Sequence, residues 1–212
     1  MKLFYGADKD VIIPQYNVGN PNNDYGLGFY LTPDKEMAKL WASKFPSGGY
    51  LIEYEVDFNG LNILYLNSIN NDDVLKWISV LISHRFSKDE RESYKTNIEW
   101  LEKNYPFDVE GYDLIIGYRA DDAYFDYSRD FVGNDLSLEL LKEAMRLGKL
   151  GLQYVLISQK AFSHIKYLKS EKVSHSDQYF AFRNKSKIEY LKLKKEDDVL
   201  NTFIRDLMRK KK

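Results

Sequence analysis

Two glycines one residue apart, followed at once by aromatic residues, point more directly to a small-molecule site than any other part of this sequence. The run over residues 23–32 reads NDYGLGFYLT, and Pro33 then leads into a predicted helix that carries Trp41. Glycine leaves the backbone accessible, and flat aromatic side chains can stack on a flat ligand. The pattern predicts a corner of loop, strand and helix that binds a flat, polar molecule.

The glycine pair matches neither of the common nucleotide-binding loops. A dinucleotide fingerprint needs a third glycine three residues after Gly28, where this chain has Leu31. The glycines of that fingerprint also follow a strand, whereas the glycines of this chain precede one. A phosphate-binding loop needs Lys-Ser or Lys-Thr after its last glycine, and this run has neither. On these residues alone, a tight turn or β-bulge that requires glycine is the better explanation.

Composition and charge exclude several classes of function. The 212 residues include 31 basic and 32 acidic side chains, so the net charge of −1 gives no electrostatic case for nucleic-acid or acidic-membrane binding. The chain has no cysteine, and its three histidines lack metal-ligand spacing, so we predict no metal site. We find neither a secretory signal nor an apolar run of about 20 residues, and we expect a soluble, cytoplasmic protein with no membrane partner.

Strand and helix signals do not alternate regularly, so a doubly wound parallel sheet is not expected. We predict an α+β fold with two small, mainly antiparallel sheets and flanking helices. Thr32 is the predicted N-cap of the first helix, with Pro33 at the first helical position. Strands are predicted at 2–5, 28–31, 50–58, 61–66, 113–117, 153–158 and 165–169. Helices are predicted at 33–45, 72–82, 88–103, 122–131, 138–147 and 158–163.

The sequence changes character at about residue 174, where it becomes rich in lysine. A broken amphipathic pattern then runs to a basic end that reads RKKK. We predict a main domain over 1–173 and a helical, basic C-terminal appendage over 174–212. Positive charge at the end of a helix is favourable, which explains the tail better than a nucleic-acid-binding arm does.

The glycine-aromatic run resembles the second motif of the diphtheria-toxin and poly(ADP-ribose)-polymerase branch of ADP-ribosyltransferases. In that branch a Gly-x-Gly-aromatic-Tyr strand runs into a helix, and two aromatic rings sandwich the nicotinamide of NAD. The resemblance implies that Tyr30 and Trp41 are the stacking pair and that Gly28 belongs to the binding corner. Ala38 stands where many members have a serine that bonds the nicotinamide amide.

Two further motifs of that branch have counterparts here. The first, His-Gly-Ser or His-Gly-Thr, reads Tyr5-Gly6-Ala7. The resemblance implies that the Gly6 backbone holds the carboxamide and that the Tyr5 hydroxyl reaches a ribose hydroxyl. The third motif opens a strand with Glu, or less often Gln, and the residue here is Gln153. A glutamate there stabilises an oxocarbenium-like transition state, whereas Gln153 offers the hydrogen bond without the charge. A polar residue on an edge strand is the alternative explanation.

A bacterial family of uncharacterised ADP-ribosyltransferase-like proteins shows the wider arrangement. The chain resembles it over roughly residues 3–168. Besides the motifs above, residues 112–122 read YDLIIGYRADD and residues 148–153 read GKLGLQ. Members of that family are often regarded as toxin or defence components, which implies a small antitoxin-like protein as a further partner.

The segment after the predicted strand at 113–117 carries a third group of candidate residues. Arg119 is a candidate ligand-binding residue, and Asp121 is a candidate catalytic carboxylate that compensates for Gln153. We predict that Asp122 caps the next helix. A glycosidase-like carboxylate pair stays open as an alternative, although the sequence places no second acid.

The resemblance implies an ADP-ribosyltransferase-like fold and an NAD-dependent ADP-ribosyltransferase, with NAD as substrate and a protein or nucleic acid as acceptor. Two alternatives stay open. One is a degenerate module that binds NAD, ADP-ribose or a protein partner without catalysis. The other is an NAD glycohydrolase, for which water is the acceptor.

Overall fold

Two separate sheets organise the chain in the computed structural model, which describes residues 1–120, 122–147 and 151–210. The first sheet consists, in spatial order, of β1 (Lys2–Ala7), β3 (Gly49–Val56) and β7 (Ile165–Val173), all antiparallel. The second consists of β2 (Phe29–Leu31), β6 (Leu152–Leu156), β5 (Leu114–Tyr118) and β4 (Ile63–Leu66). Only β4 and β5 pair in parallel among these strands. The predicted α+β class with mainly antiparallel sheets is confirmed.

The two sheets meet where β1 passes the end of β2. The backbone N–H of Phe4 donates to the carbonyl of Thr32 at 2.8 Å, and the N–H of Thr32 donates back to Phe4 at 3.0 Å. Apolar side chains from both sheets share one buried core, which includes Leu3, Leu31, Ile52, Tyr54, Leu114, Ile116 and Leu156. This contact brings the first predicted motif, on β1, next to the second, on β2.

The described residues form nine helices, and a second core surrounds the most buried of them. The helices are α1 (Lys35–Ser43), α2 (Asn71–Arg85), α3 (Lys88–Ser93), α4 (Lys95–Asn104), α5 (Asp122–Val132), α6 (Leu138–Leu147), α7 (Gln159–Ser163), α8 (Gln178–Lys195) and α9 (Ile204–Lys210). Eight of the nine residues from 74 to 82 in α2 are buried, and Lys76 is the exception. Among the described residues, no helix has the length and apolar character required to cross a membrane.

The start of α1 differs from the prediction. Its N-cap is Asp34, not Thr32, and Pro33 lies before the helix. Thr32 is unavailable as a cap because its carbonyl, which would accept the first hydrogen bond of the helix, accepts from the N–H of Phe4 instead. The Asp34 carboxylate instead accepts two backbone N–H groups of the first helical turn, at 2.9 and 3.0 Å.

The helix predicted over 88–103 is two helices, α3 and α4, that separate at Tyr94. The backbone of Tyr94 leaves the helical region, with φ −110° and ψ 19°. Ser87 and Glu90 form a capping box that starts α3, which has no buried residue. The chain then changes direction, so that α4 buries Ile98 and Leu101 in the core around α2. Burial of that apolar pair, and not the continuity of the periodic pattern, sets the break.

Residues from the predicted C-terminal appendage complete this same core. Tyr190 of α8 is buried, its ring centroid lies 4.0 Å from that of Tyr127, and Ile204 at the start of α9 is fully buried. The N–H of Leu138 donates to the carbonyl of Thr202 at 2.8 Å. The helical character predicted after residue 173 is observed in two segments, and both pack against the rest of the chain.

The burial of Ile204 makes a testable prediction about the C-terminal segment. Ile204→Ala should lower the free energy of unfolding by about 2–5 kcal/mol, because it leaves a cavity in the shared core. Leu200→Ala is the matched control, since Leu200 is 90% exposed and its truncation should cost less than about 0.5 kcal/mol. Urea unfolding of both variants measures the difference; equal, small losses would show that the segment does not stabilise the core.

Candidate functional site

One cleft of about 520 Å³ lies where the two sheets meet. Its size falls in the usual range for small-molecule sites, about 300–1,000 Å³. Seven of the predicted site residues line this cleft, namely Tyr5, Gly6, Gly28, Tyr30, Trp41, Arg119 and Gln153. The eighth, Asp121, lies outside the described residues, and so does the side chain of Asp122. The structure therefore brings these seven residues together, while their chemical roles stay predictions.

Gly6 allows α1 to lie directly on β1. A Cβ atom at this position would come within 2.3 Å of the carbonyl oxygen of Ala38 and 2.8 Å of the backbone nitrogen of Ala42. The same close approach sets Trp41, whose Cβ would be 2.9 Å away, beside the end of β1. Packing alone thus requires glycine here, independently of any contact to a carboxamide.

The glycine pair that opens the corner also has a structural reason. Gly26 has a φ of 73°, and a Cβ there would lie 2.6 Å from Cε1 of His84. A Cβ on Gly28 would lie 2.6 Å from Cγ1 of Val155. The tight-turn explanation therefore accounts for Gly26, whereas close packing against β6 requires glycine at position 28, which also lines the cleft. Burial lowers the pKa of His84, so this ring is neutral where it packs against the turn.

Tyr30 uses its hydroxyl to close the turn and contributes to the cleft wall. The hydroxyl donates to the carbonyl of Gly26 at 2.7 Å and accepts from the N–H of Tyr25 at 3.0 Å. Burial raises the pKa of Tyr30, so the hydroxyl keeps its proton. These two bonds fix the orientation of the ring, which is what a stacking residue requires.

Tyr5 lies beside Phe29, with ring centroids 5.1 Å apart. Burial raises the pKa of Tyr5 as well, and the charge of Asp8 adds to the effect. The hydroxyl is therefore a neutral donor at physiological pH. It cannot act as an anionic base there, but it can donate a hydrogen bond to a ligand in the cleft.

A buried carboxylate, Asp24, lines the cleft and joins three other segments by hydrogen bonds. Its side chain accepts from Nη1 of Arg85 at 2.6 Å, from the N–H of Ala120 at 2.8 Å and from Nε2 of Gln153 at 2.8 Å. We call these four residues the Asp24 network. Burial raises the pKa of Asp24 above the usual range of an aspartate, and the Arg85 guanidinium opposes that rise. Since both oxygens accept only from N–H donors, the carboxyl group is ionised at neutral pH.

Cationic side chains beside aromatic rings form much of the remaining wall. The guanidinium of Arg119, which is buried, lies 4.6 Å from the Trp41 ring centroid. Nζ of Lys44 lies 5.4 Å from the ring centroid of Tyr179, near the start of α8. Three cations and one carboxylate therefore line the described part of the cleft. Because Arg85 already pairs with Asp24, Lys44 and the aromatic rings are the groups that suit a ligand with anionic and flat parts.

Several of these residues were not predicted from the sequence. Asp24 stands inside the glycine-aromatic run, so its position was a signal, but nothing in the sequence gave it a partner. Arg85 ends a largely apolar helix, and Lys44 follows α1. Tyr179 comes from the segment predicted to be an appendage. Only the three-dimensional contact identifies these last three.

A larger cavity, of about 680 Å³, lies between α4 and α9. Its lining residues are Thr96, Asn97, Trp100, Lys103, Asn104, Arg205, Met208 and Arg209. None of the predicted site residues is among them. Within the described part of the chain, no group of three or more His, Asp or Glu side chains could hold a metal ion.

A comparison with protein families places the chain in one of them. The model described as "Protein of unknown function (DUF3990)" matches residues 1–167, so the chain belongs to this family. The match ends within β7, and Tyr179 therefore lies outside the matched region. The chain matches no curated protein and no solved structure.

The ion pair in the Asp24 network predicts a pH-dependent loss of stability in Arg85→Leu. At pH 7 the variant should lose about 3–5 kcal/mol of unfolding free energy, because Asp24 is left charged and buried. Without the guanidinium the pKa of Asp24 rises further, so its protonated form is favoured in the folded state. The loss should therefore shrink as the pH falls towards that raised pKa.

Urea unfolding at pH 7 and pH 5, in parallel with the wild type, tests this prediction. The charge of Asp24 also acts on the pKa of His84, so the comparison is repeated in a His84→Gln background, where that titration is absent. Arg209→Leu is the control, since the Arg209 side chain is exposed and outside the cleft. A loss of the same size at pH 5 and pH 7 would show that Arg85 does not act by compensating the charge of Asp24.

Proposed function

We propose that the protein is an NAD-dependent ADP-ribosyltransferase that modifies a protein or nucleic-acid acceptor. One observation carries the proposal. Three segments that are far apart in the sequence line one cleft: β1 with Tyr5 and Gly6, the consecutive β2 and α1 with Tyr30 and Trp41, and β6 with Gln153. The resemblance of the three motifs requires this meeting, whereas an accidental match to each motif would not produce it.

The residues in the cleft suit the nicotinamide ring, the carboxamide and the pyrophosphate of NAD. The nicotinamide ring of NAD is flat and positively charged, so it favours aromatic faces such as those of Tyr30 and Trp41. Its carboxamide needs backbone donors and acceptors, which a glycine such as Gly6 leaves accessible. Lys44 and Arg119 supply positive charge for the pyrophosphate.

The proposed reaction is a substitution at the anomeric carbon of the nicotinamide ribose. The bond from this carbon to the nicotinamide nitrogen breaks, and both electrons leave with nicotinamide, which becomes neutral. An oxygen or nitrogen atom of the acceptor forms the new bond and loses its proton to solvent. Gln153 would accept a hydrogen bond from a ribose hydroxyl as positive charge develops on the sugar, and Tyr5 would donate one.

A binding module without catalysis is the second candidate function. It is favoured by the replacement of the motif histidine by Tyr5 and of the motif glutamate by the uncharged Gln153.

We include a toxin or defence role, with an antitoxin-like partner, in the proposal because the resemblance implies it. A bacterial lysate is accordingly the first source of acceptors to test.

The proposed reaction predicts transfer of label from NAD that depends on Gln153. With NAD labelled in its adenylate half and a bacterial lysate, the wild type should label a macromolecule. Gln153→Ala should reduce the rate about 100-fold, because the lost contact is strongest in the transition state. Gln159→Ala, at an exposed position outside the cleft, should keep the wild-type rate.

The other outcomes separate the alternatives. Nicotinamide release without transfer would identify a glycohydrolase. A rise in melting temperature with NAD, without release, would identify a binding module. If NAD neither shifts the melting temperature nor reacts, the cleft is not an NAD site.

Stacking in the cleft predicts that Trp41 contributes directly to NAD affinity. Trp41→Ala should weaken binding by about 1–3 kcal/mol, the usual contribution of an aromatic stack. Trp41→Phe should recover part of the loss because it keeps a flat ring. Isothermal titration calorimetry with NAD measures both, and Trp100→Ala, in the cavity between α4 and α9, is the control. An unchanged affinity in Trp41→Ala would place the ligand elsewhere.

A further inference from the structure

We propose that Asp24 is a positioning residue that orients and polarises the Gln153 amide, so that Gln153 can act where the motif has glutamate. The inference rests on the proposed function, because it concerns how Gln153 meets the ribose of NAD. It assigns a task to a buried aspartate that the resemblance does not include among its functional residues.

The contact between the two side chains fixes which end of the amide faces the cleft. Nε2 of Gln153 lies 2.8 Å from Oδ2 of Asp24, and both residues are at most 5% exposed. An ionised carboxylate only accepts hydrogen bonds, so the amide must present its N–H to Asp24. The carbonyl oxygen Oε1 is then the atom left for a ligand. Among the described residues, no donor bonds to Oε1.

Asp24 is itself held firmly enough to act as an anchor. Arg85 and the backbone N–H of Ala120 bind its two oxygens at 2.6 and 2.8 Å, so the carboxylate cannot rotate without losing a bond. Arg85 also donates to the carbonyl of Ala120, which joins the two anchors to each other. The Gln153 amide is therefore fixed before a ligand arrives, and the entropy of ordering it is not lost on binding.

The same contact increases the negative charge on the carbonyl. When an amide N–H donates to a carboxylate, electron density moves towards the amide oxygen, because hydrogen bonds in series polarise one another. Asp24 would thus give Oε1 part of the charge that a glutamate carries. Arg85 lies at the other oxygen of Asp24 and limits this effect without removing it.

This arrangement predicts that the residues at positions 24 and 153 depend on each other. A glutamate at position 153 would place two buried carboxylates about 2.8 Å apart, at the distance that now joins the amide to Asp24. Two carboxylates this close cannot both stay ionised, so one takes a proton or moves away. Gln153→Glu should therefore damage the site although it restores the motif residue.

A double-mutant cycle tests the inference, with nicotinamide release from NAD as the assay. Gln153→Glu and Asp24→Asn should each lower kcat by about 10- to 100-fold, with a smaller change in KM, because the misplaced group acts on the transition state. The double variant Asp24→Asn/Gln153→Glu should recover at least about 10-fold over either single variant. In the double variant the amide at position 24 can donate to the carboxylate at position 153, and the recovery stays incomplete because the Ala120 N–H, which bonds to the same Asp24 oxygen, loses its acceptor.

Asp113→Asn is the matched control. Asp113 is also a buried carboxylate, 8% exposed, and accepts from the N–H of Asn62 at 2.9 Å and from the Ser158 hydroxyl at 2.6 Å, but it does not line the cleft. Its replacement should lower the melting temperature without changing kcat. If Asp24→Asn does not fold, the sign of the change in kcat for Gln153→Glu alone decides.

The results distinguish this inference from the proposed function. A Gln153→Glu variant that is faster than wild type, or a double variant that only multiplies the two single losses, would overturn the role of Asp24 and leave the NAD reaction in place. A wild type that neither binds NAD nor releases nicotinamide would overturn the proposed function, and the inference with it.

In either case the ¹H–¹⁵N resonances of the Gln153 side-chain amide report the contact between Gln153 and Asp24. They should shift in Asp24→Asn and not in Asp113→Asn.

Discussion

The cleft depends on one buried, ionised carboxylate. Asp24 lies in the loop before β2, and its partners lie at the end of α2 (Arg85), after β5 (Ala120) and in β6 (Gln153). A buried charge is tolerated only while its partners stay in place, because the loss of one leaves it uncompensated. The four segments are therefore fixed relative to one another, and the wall that the sequence motifs form has a defined shape.

The glycine-aromatic run divides into an anchoring half and a half that lines the cleft. Beside Asp24, the Tyr25 hydroxyl donates to the carbonyl of Tyr118 at 2.5 Å and accepts from Nε1 of Trp77 at 3.1 Å. Gly117 leaves room for this hydroxyl, since a Cβ there would lie 2.2 Å from it. After the turn, Phe29 and Tyr30 belong to the cleft wall. The same short run thus attaches itself to the second sheet and presents aromatic rings to a ligand.

Local sequence patterns predicted the helices and strands better than they predicted the contacts between them. Alternating and helical patterns gave the strands and most helices, because those patterns reflect which face of each element is buried. The Thr32 cap failed because a long-range bridge to Phe4 had already used its backbone, and the single helix over 88–103 failed because Ile98 and Leu101 pack on α2. In the site, residues next to glycines were found from the motifs. Arg85, Lys44 and Tyr179 have no local pattern, and only folding brings them into the cleft.

We propose that this cleft binds the nicotinamide end of NAD. A crystal structure of the protein grown with a saturating concentration of NAD tests this proposal. We expect the nicotinamide ring between Tyr30 and Trp41, its carboxamide at the backbone of Gly6, and a ribose hydroxyl within hydrogen-bond distance of Oε1 of Gln153. NAD bound in the cavity between α4 and α9, or bound in the cleft with its adenine in this position, would contradict it.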